Sequence, residues 1–226
     1  RTEELGWTAK RRLPEYIENL KRERGQVKKE EQRVLVFSTT FYPDHGKAEE
    51  ALLDVMKAMP NVHFDVITTM FSQGAQNKVS PLQNVTVHRV GMGRSSDKYA
   101  LPLSGARIAR KLMKTYTYSF MWALFASYGA LAALLSRRVQ SHLPLLITIA
   151  DQKLGKIPLH VRFVLGHILG RTDQIYADDT YEARAAVTLA KRATLIRSIG
   201  TGDAFANQIR FAYSTFLRKR TKEHEA

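Results

Sequence analysis

RVLVFSTTFYPDHGKAEE, residues Arg33 to Glu50, is the stretch from which the fold is read. Val34 to Phe37 form an apolar run bounded by charge on one side and by Ser38, Thr39 and Thr40 on the other, the pattern of a buried strand. A loop with Tyr42, Pro43 and Gly46 follows. Ala48 to Met59 then carry Leu52, Val55, Met56 and Met59 at helical spacing. Strand, polar loop and helix make the first unit of an α/β domain. In nucleotide-binding sheets such a loop faces the ligand, because unpaired backbone N–H groups and the helix dipole favour an anion there. Any parallel α/β sheet also needs such a turn, so spacing alone leaves both readings open.

Outward from this unit, HFDVIT (His63 to Thr68) reads as a second strand and Met70 to Pro81 as a loop. VTVHRV (Val85 to Val90) alternates strictly, as a strand with one wet face does. Gly91 to Pro102 reads as a further loop, and Ile108 to Leu112 as part of a short basic helix. Thr115 to Ser136 carries no formal charge over about the length of a membrane helix. Ser127, Tyr128 and Gly129 interrupt it, so a strand (Phe120 to Ala126), a turn and a small-residue helix (Ala130 to Leu135) are favoured over a membrane span.

PLLITI (Pro144 to Ile149) is apolar throughout and is expected to be central. Ile157 to Gly170 is expected to be helical, Gln174 to Ala177 a short strand, and Tyr181 to Lys191 a helix capped by Asp178, Asp179 or Thr180. Thr194 to Ile199 would be a last strand, followed by a helix with Phe205, Ile209, Tyr213 and Phe216. Strands alternating with helices predict a Rossmann-like, open, mostly parallel sheet with helices on both faces. The expected organisation is a basic helical extension and linker over 1–32, the α/β domain over 33–220 and a charged tail over 221–226.

An apolar share of 44% in 226 residues supports a packed core. With no cysteine, disulfides and thiolate metal sites are excluded. The histidines, at positions 45, 63, 88, 142, 160, 167 and 224, show no metal-ligand spacing, so no metal site is expected. The chain opens on Arg1 and no leader pattern follows, which leads us to expect a piece of a longer protein. The net charge of +14 gathers at Lys10 to Lys29, Arg107 to Lys114, Arg137 and Arg138, and Arg218 to Lys222. Such clusters suit a phosphorylated substrate or an anionic membrane, or they are solvated helix faces. No nucleic-acid-binding motif accompanies them, so no nucleic-acid partner is expected. Gly200 to Asp203 (GTGD) resembles a phosphate loop but lies too late in the chain for a dinucleotide fingerprint, and a helix-capping turn explains it.

The set RVLVFSTTFYPDHGKAE, HFDVIT, NVTVHRVGMG, WALFASYGALAALL and PLLITIAD resembles the N-terminal half of family 4 glycosyltransferases, enzymes of the GT-B fold with two Rossmann-like domains facing a cleft. F-Y-P-x-x-G-x-A-E is its most specific part, kept here by Phe41, Tyr42, Pro43, Gly46, Ala48 and Glu49. The resemblance implies that Tyr42, Pro43, His45, Gly46, Lys47 and Glu49 line the cleft beside the donor diphosphate. Lys47 replaces the second of a usual glycine pair, and it either occupies space that a diphosphate would need or offers it a cation. His45 also reads as an ordinary surface-loop histidine. After the strand ending at Ile149, where family members often carry a histidine, this chain has Ala150 and Asp151. Asp151 is a candidate catalytic, acceptor-side group or simply a strand-end cap.

The family's donor-binding half carries two glutamates eight positions apart. Glu15, Glu23 and Glu31 have that spacing but fall in the basic extension, where we read it as coincidence. The resemblance therefore implies the acceptor side of a cleft. There a sugar would pass from a nucleotide-sugar co-substrate, with no further cofactor, to a glycan or lipid-linked acceptor, the other half coming from a C-terminal domain or subunit. The alternative is a non-catalytic domain of the same descent that binds a partner or a membrane. Arg107, Arg110, Lys111 and Lys114 are the candidate contacts for an anionic membrane, which implies a cytoplasmic protein peripheral to the inner face. The opening RTEELGWTAKRRLPEYI is similar to the C-terminal tail of extended short-chain dehydrogenases and nucleotide-sugar epimerases, through Glu4, Leu5, Gly6, Trp7 and Lys10. It implies such a domain upstream.

Overall fold

The computed structural model describes residues 32–43, 46–70, 80–137, 142–149, 159–177, 180–190, 195–198, 207–212 and 214–216. Seven strands are described: β1 (Gln32–Phe37), β2 (Val62–Thr69), β3 (Val85–Val90), β4 (Tyr118–Leu124), β5 (Leu145–Ile149), β6 (Gln174–Ala177) and β7 (Leu195–Ser198). They pair in the order β3-β2-β1-β4-β5-β6-β7, every pairing parallel. The helices between them are α1 (Lys47–Ala58), α2 (Asp97–Thr115), α3 (Tyr128–Ser136), α4 (Leu159–Leu169) and α5 (Thr180–Ala190). The expected open, doubly wound α/β sheet is what forms.

The chain leaves β1 towards one edge, then returns from β3 to lay β4 beside β1 and continues outward. With right-handed crossovers this reversal sends α1 to one face and α2 onward to the other. The buried residues divide accordingly. Leu52, Val55 and Met56 of α1 pack on Val34, Val36, Phe64, Phe120 and Trp122, together with Ile209 and Ala212. Residues 207–212 and 214–216 are helical, and Phe216 stacks at 5.3 Å on Phe120. On the opposite face Leu101, Ala109, Ala130, Ala133, Leu165 and Ala186 meet Leu35, Phe37, Ile67, Ala123, Ile147 and Ile175. β5 is buried at all five positions, as its unbroken apolar run foretold. β3 is an edge strand with three half-buried residues in its middle.

α2 runs for 19 residues from Asp97, so of the loop expected over Gly91 to Pro102 only residues 91–96 are loop, and the rest joins the short helix expected around Ile108 in one element. Pro102 and Gly105 read as breakers in sequence, yet both are buried within α2. Gly105 sits in a tight place, where an added Cβ would lie 3.2 Å from Leu101, 3.3 Å from Ile67 and 3.4 Å from Ala132. The uncharged stretch from Thr115 to Ser136 is strand, turn and helix, and among the described residues no helix is long and apolar enough to cross a membrane. Asp178, Asp179 and Phe205 lie outside the described residues.

Trp122 and Asp65 are polar groups of the buried sheet with partners on neighbouring strands. Trp122 donates its indole N–H to Thr148 at 2.7 Å. Asp65, on β2, accepts from Arg33 of β1 at 2.9 Å and from Tyr118 of β4 at 2.8 Å, and its other oxygen lies 2.9 Å from Nε2 of His88 on β3. The register between β1 and β4 slips by one residue beyond Arg33 and Tyr118. That bulge brings Tyr118 to the same side as Met121 and Ala123. Burial alone would raise the Asp65 carboxyl, but the bonds from His88 and Tyr118 outweigh it and hold the pKa below the usual carboxylate range. The same burial, with the Asp65 charge beside it, pushes the Tyr118 phenol up.

A carboxylate with a depressed pKa contributes stability that is present above its unfolded pKa and lost as pH falls through its folded one. Asp65→Asn should therefore cost about 3 kcal/mol at neutral pH, by leaving buried donors unpaired. It should also flatten the decline in stability below about pH 4. Urea unfolding of both proteins between pH 7 and pH 3 checks this, and equal stability at pH 7 would contradict it.

Candidate functional site

The reversal of strand order falls between β1 and β4, and in open α/β sheets ligands bind outside the carboxyl ends of the strands at this point. Hydroxyl groups gather there because β1 empties into Ser38, Thr39 and Thr40, and β4 into Ser127. Thr39 and Ser127 meet across the crevice with their hydroxyl oxygens 3.1 Å apart. The Thr39 carbonyl accepts from the hydroxyl of Thr68 at 3.3 Å, from that of Thr69 at 2.5 Å and from the Thr69 N–H at 3.3 Å, so β2 braces the floor.

Gly129, in the first turn of α3, brings that helix onto β1. A Cβ there would lie 3.3 Å from the backbone carbon and oxygen of Phe37. Ser127, at the N-terminus of α3, makes no side-chain cap bond to the helix. Phe125, between strand and helix, takes a positive φ of 67°.

The loop after β1 divides into an inner and an outer part. Phe41 is buried, and the Tyr42 carbonyl accepts from Arg89 at 2.5 Å. The Tyr42–Pro43 peptide is cis. Pro43, Gly46 and Lys47 are exposed and Tyr42 is half-buried. Glu49 points inward instead. Only 4% exposed, it accepts from the Thr40 hydroxyl and from the Gly46 N–H at 3.0 Å, closing the first turn of α1.

Of the six loop residues expected at a diphosphate, Tyr42, Pro43, Gly46 and Lys47 therefore remain at the surface and Glu49 holds the loop. His45 and the candidate catalytic Asp151 lie outside the described residues. Gly46 has extended backbone, φ −109°, and a Cβ would make only ordinary contact with Glu49 at 3.4 Å. The fold itself does not require glycine at this position.

Thr39, Ser127 and Gly129 were not singled out as site residues from sequence, although three hydroxyl residues directly after an apolar strand were a usable signal. Tyr128, beside Gly129, stands edge-on to Tyr99 with ring centroids 5.3 Å apart. Partial burial, and then Tyr99, push its phenol pKa up, so it remains neutral at physiological pH. Arg107, Lys111 and Lys114 are exposed along α2. Arg110 is half-buried and donates to the Leu135 carbonyl at the end of α3 at 3.3 Å, a C-terminal helix contact.

No family model matches the chain, and no curated protein matches it. Solved structures do. A short chain of the sucrose-phosphate synthase of Thermosynechococcus elongatus superposes with a TM-score of 0.61 at 13% identity, covering 82% of this chain and 99% of that one. A longer chain of that enzyme gives 0.54 at 12%, covering 74% and 47%. UGT2 of Phytolacca americana, complexed with UDP-2-fluoro-glucose and pterostilbene, gives 0.50 at 8%, covering 76% and 53%. The fold is that of one Rossmann-like half of a GT-B glycosyltransferase. The chain spans about half the length of the longer structures it matches.

The two glycines of the site should respond differently to substitution. Gly129→Val should cost about 1–3 kcal/mol, because the Phe37 backbone cannot retreat. Gly46→Ala should cost under about 1 kcal/mol. Urea denaturation of the two variants tests the difference, and equal losses would remove the distinction between a glycine that the fold needs and one that it does not.

Proposed function

We propose that this domain is the acceptor-side half of a glycosyltransferase related to family 4, in which a sugar passes from a nucleotide-sugar donor to a glycan or lipid-linked acceptor. The observation that carries the reading is the crevice between β1 and β4, with the exposed Pro43, Gly46 and Lys47 at its mouth. In an intact cleft the donor diphosphate would rest against this loop, facing a second Rossmann-like domain. The first turn of α3 would lend its dipole to the leaving group, whose negative charge grows as the glycosidic bond breaks. Thr39 and Ser127 offer hydroxyl partners to a sugar or phosphate oxygen. Lys47 stands where a glycine pair would let the backbone approach the phosphates, so here a flexible side chain intervenes.

A second reading, a non-catalytic domain of the same descent that docks a partner, draws on that same Lys47 and on the enclosure of Glu49. Calorimetry with UDP-glucose, on the chain alone and with a donor-side domain supplied in trans, separates the two. The enzyme reading expects binding in the second case at least, and no heat in either would refute it. Lys47→Gly should tighten that binding by about three- to tenfold, equivalent to roughly 1 kcal/mol. Unchanged affinity would remove the loop from the diphosphate site.

A further inference from the structure

Two tyrosines stand beside the crevice, and the transfer proposed above uses neither. Tyr128 follows Ser127, whose hydroxyl oxygen lies 3.1 Å from that of Thr39 across the crevice. Tyr99 belongs to the first turn of α2, and the two rings meet edge-on, at 78° with centroids 5.3 Å apart. Tyr99 is 62% and Tyr128 37% exposed, so neither ring is used up by the core. Lys98 places its ammonium nitrogen 5.3 Å from the Tyr99 centroid, a mobile donor beside an aromatic ring.

Both rings rise from backbone that is held in place. At the head of α2 the Asp97 carboxylate accepts from the N–H groups of Met92, Gly93 and Arg94 at 2.7, 2.9 and 2.9 Å, which ties the preceding loop to the first turn. Gly129 seats the first turn of α3 on Phe37. Gly105 of α2 lies where an added Cβ would be 3.4 Å from Ala132 of α3, so the two helices pack closely. A surface ordered in advance binds at lower cost, because little is left to be immobilised. Single exposed aromatic groups are ordinary on a protein. A fixed pair next to a hydroxyl-lined crevice has a shape that a ligand can match.

We propose that Tyr99 and Tyr128 form a platform for a pyranose ring of the acceptor, which makes the acceptor a glycan. This inference rests on the glycosyltransferase reading above. The face of an aromatic ring is electron-rich and its edge electron-poor. A pyranose carries weakly positive C–H hydrogens on its faces and hydroxyls around its rim. Its C–H face lies on the rings, and its rim reaches the phenol hydroxyls, Ser127 and Thr39, all of which both donate and accept. The Tyr128 phenol, held above its ordinary pKa by partial burial and then by Tyr99, keeps its proton for that exchange at physiological pH. An acyl chain would leave these hydroxyls without partners, and a flat aromatic acceptor would meet the rings but leave most of the hydroxyls to water.

Saturation-transfer NMR on the whole chain tests this with the methyl glycosides of glucose, galactose and mannose, and with para-nitrophenol and octanoate as the aromatic and acyl alternatives. At least one glycoside should take up saturation at its ring C–H hydrogens. Tyr99→Ala/Tyr128→Ala should lower its affinity by about tenfold. Tyr99→Phe/Tyr128→Phe keeps both ring faces and should lose no more than about threefold. Phe163→Ala removes an aromatic group on α4 that is 80% exposed, and it should change nothing. Thermal unfolding curves check that the variants fold. Saturation of no glycoside, wild-type glycoside affinity in the folded double alanine variant, or uptake confined to para-nitrophenol or octanoate would overturn the platform. The calorimetry with UDP-glucose keeps its failure apart from that of the underlying reading. Donor heat with no glycoside uptake strikes the platform alone, whereas tyrosine-dependent glycoside uptake without donor heat strikes the transferase and leaves a sugar-binding surface.

Discussion

The carboxylate of Asp65 is the constraint on which the sheet depends. It is buried on β2 and bonded to residues of the three strands β1, β3 and β4. A charge in that position is tolerable only when its lone pairs are filled, so the arrangement specifies register as well as adding stability. Slippage of β1, β3 or β4 would strand the carboxylate. The bulge that brings Tyr118 round to it shows the sheet bending locally to complete the set. Because Arg33 and Tyr118 stand at the amino ends of their strands, this polar knot leaves the carboxyl ends free for the hydroxyl-lined crevice.

At that other end the groups facing the crevice are threonine and serine hydroxyls, a helix N-terminus and a glycine contact, with Lys47 exposed where the loop that follows β1 enters α1. The likeness to halves of GT-B glycosyltransferases at 8–13% identity establishes the architecture.

Much of the fold was legible in the sequence, for identifiable reasons. The apolar run of β5 reported its burial on both faces, because burial writes itself into side-chain polarity, whereas the alternation of β3 promised one wet face and the strand shows one exposed and three half-buried residues between buried ends. Ser127, Tyr128 and Gly129 correctly divided β4 from α3. α2 was underestimated because Pro102 and Gly105 are read by local propensity, whereas contacts with the sheet and α3 decide their fate. Within the site, the exposure of Gly46 and Lys47 followed from their place at the start of a surface helix. The inward turn of Glu49 did not, since the same acidic residue in a helix's first turn can face solvent, ligand or its own backbone. The bond between Thr39 and Ser127 spans 88 positions and leaves no trace in local pattern.

The contact of Gly129 with Phe37 also bears on how the crevice could change over time. Where a glycine rests on a strand's peptide groups, the separation at that point is set by backbone that every residue shares. Substitutions around the rim can then alter what the crevice recognises without altering how wide it opens. Selectivity and aperture become separate properties, one carried by replaceable side chains and the other by a backbone contact that a larger residue enters only by pushing the two elements apart.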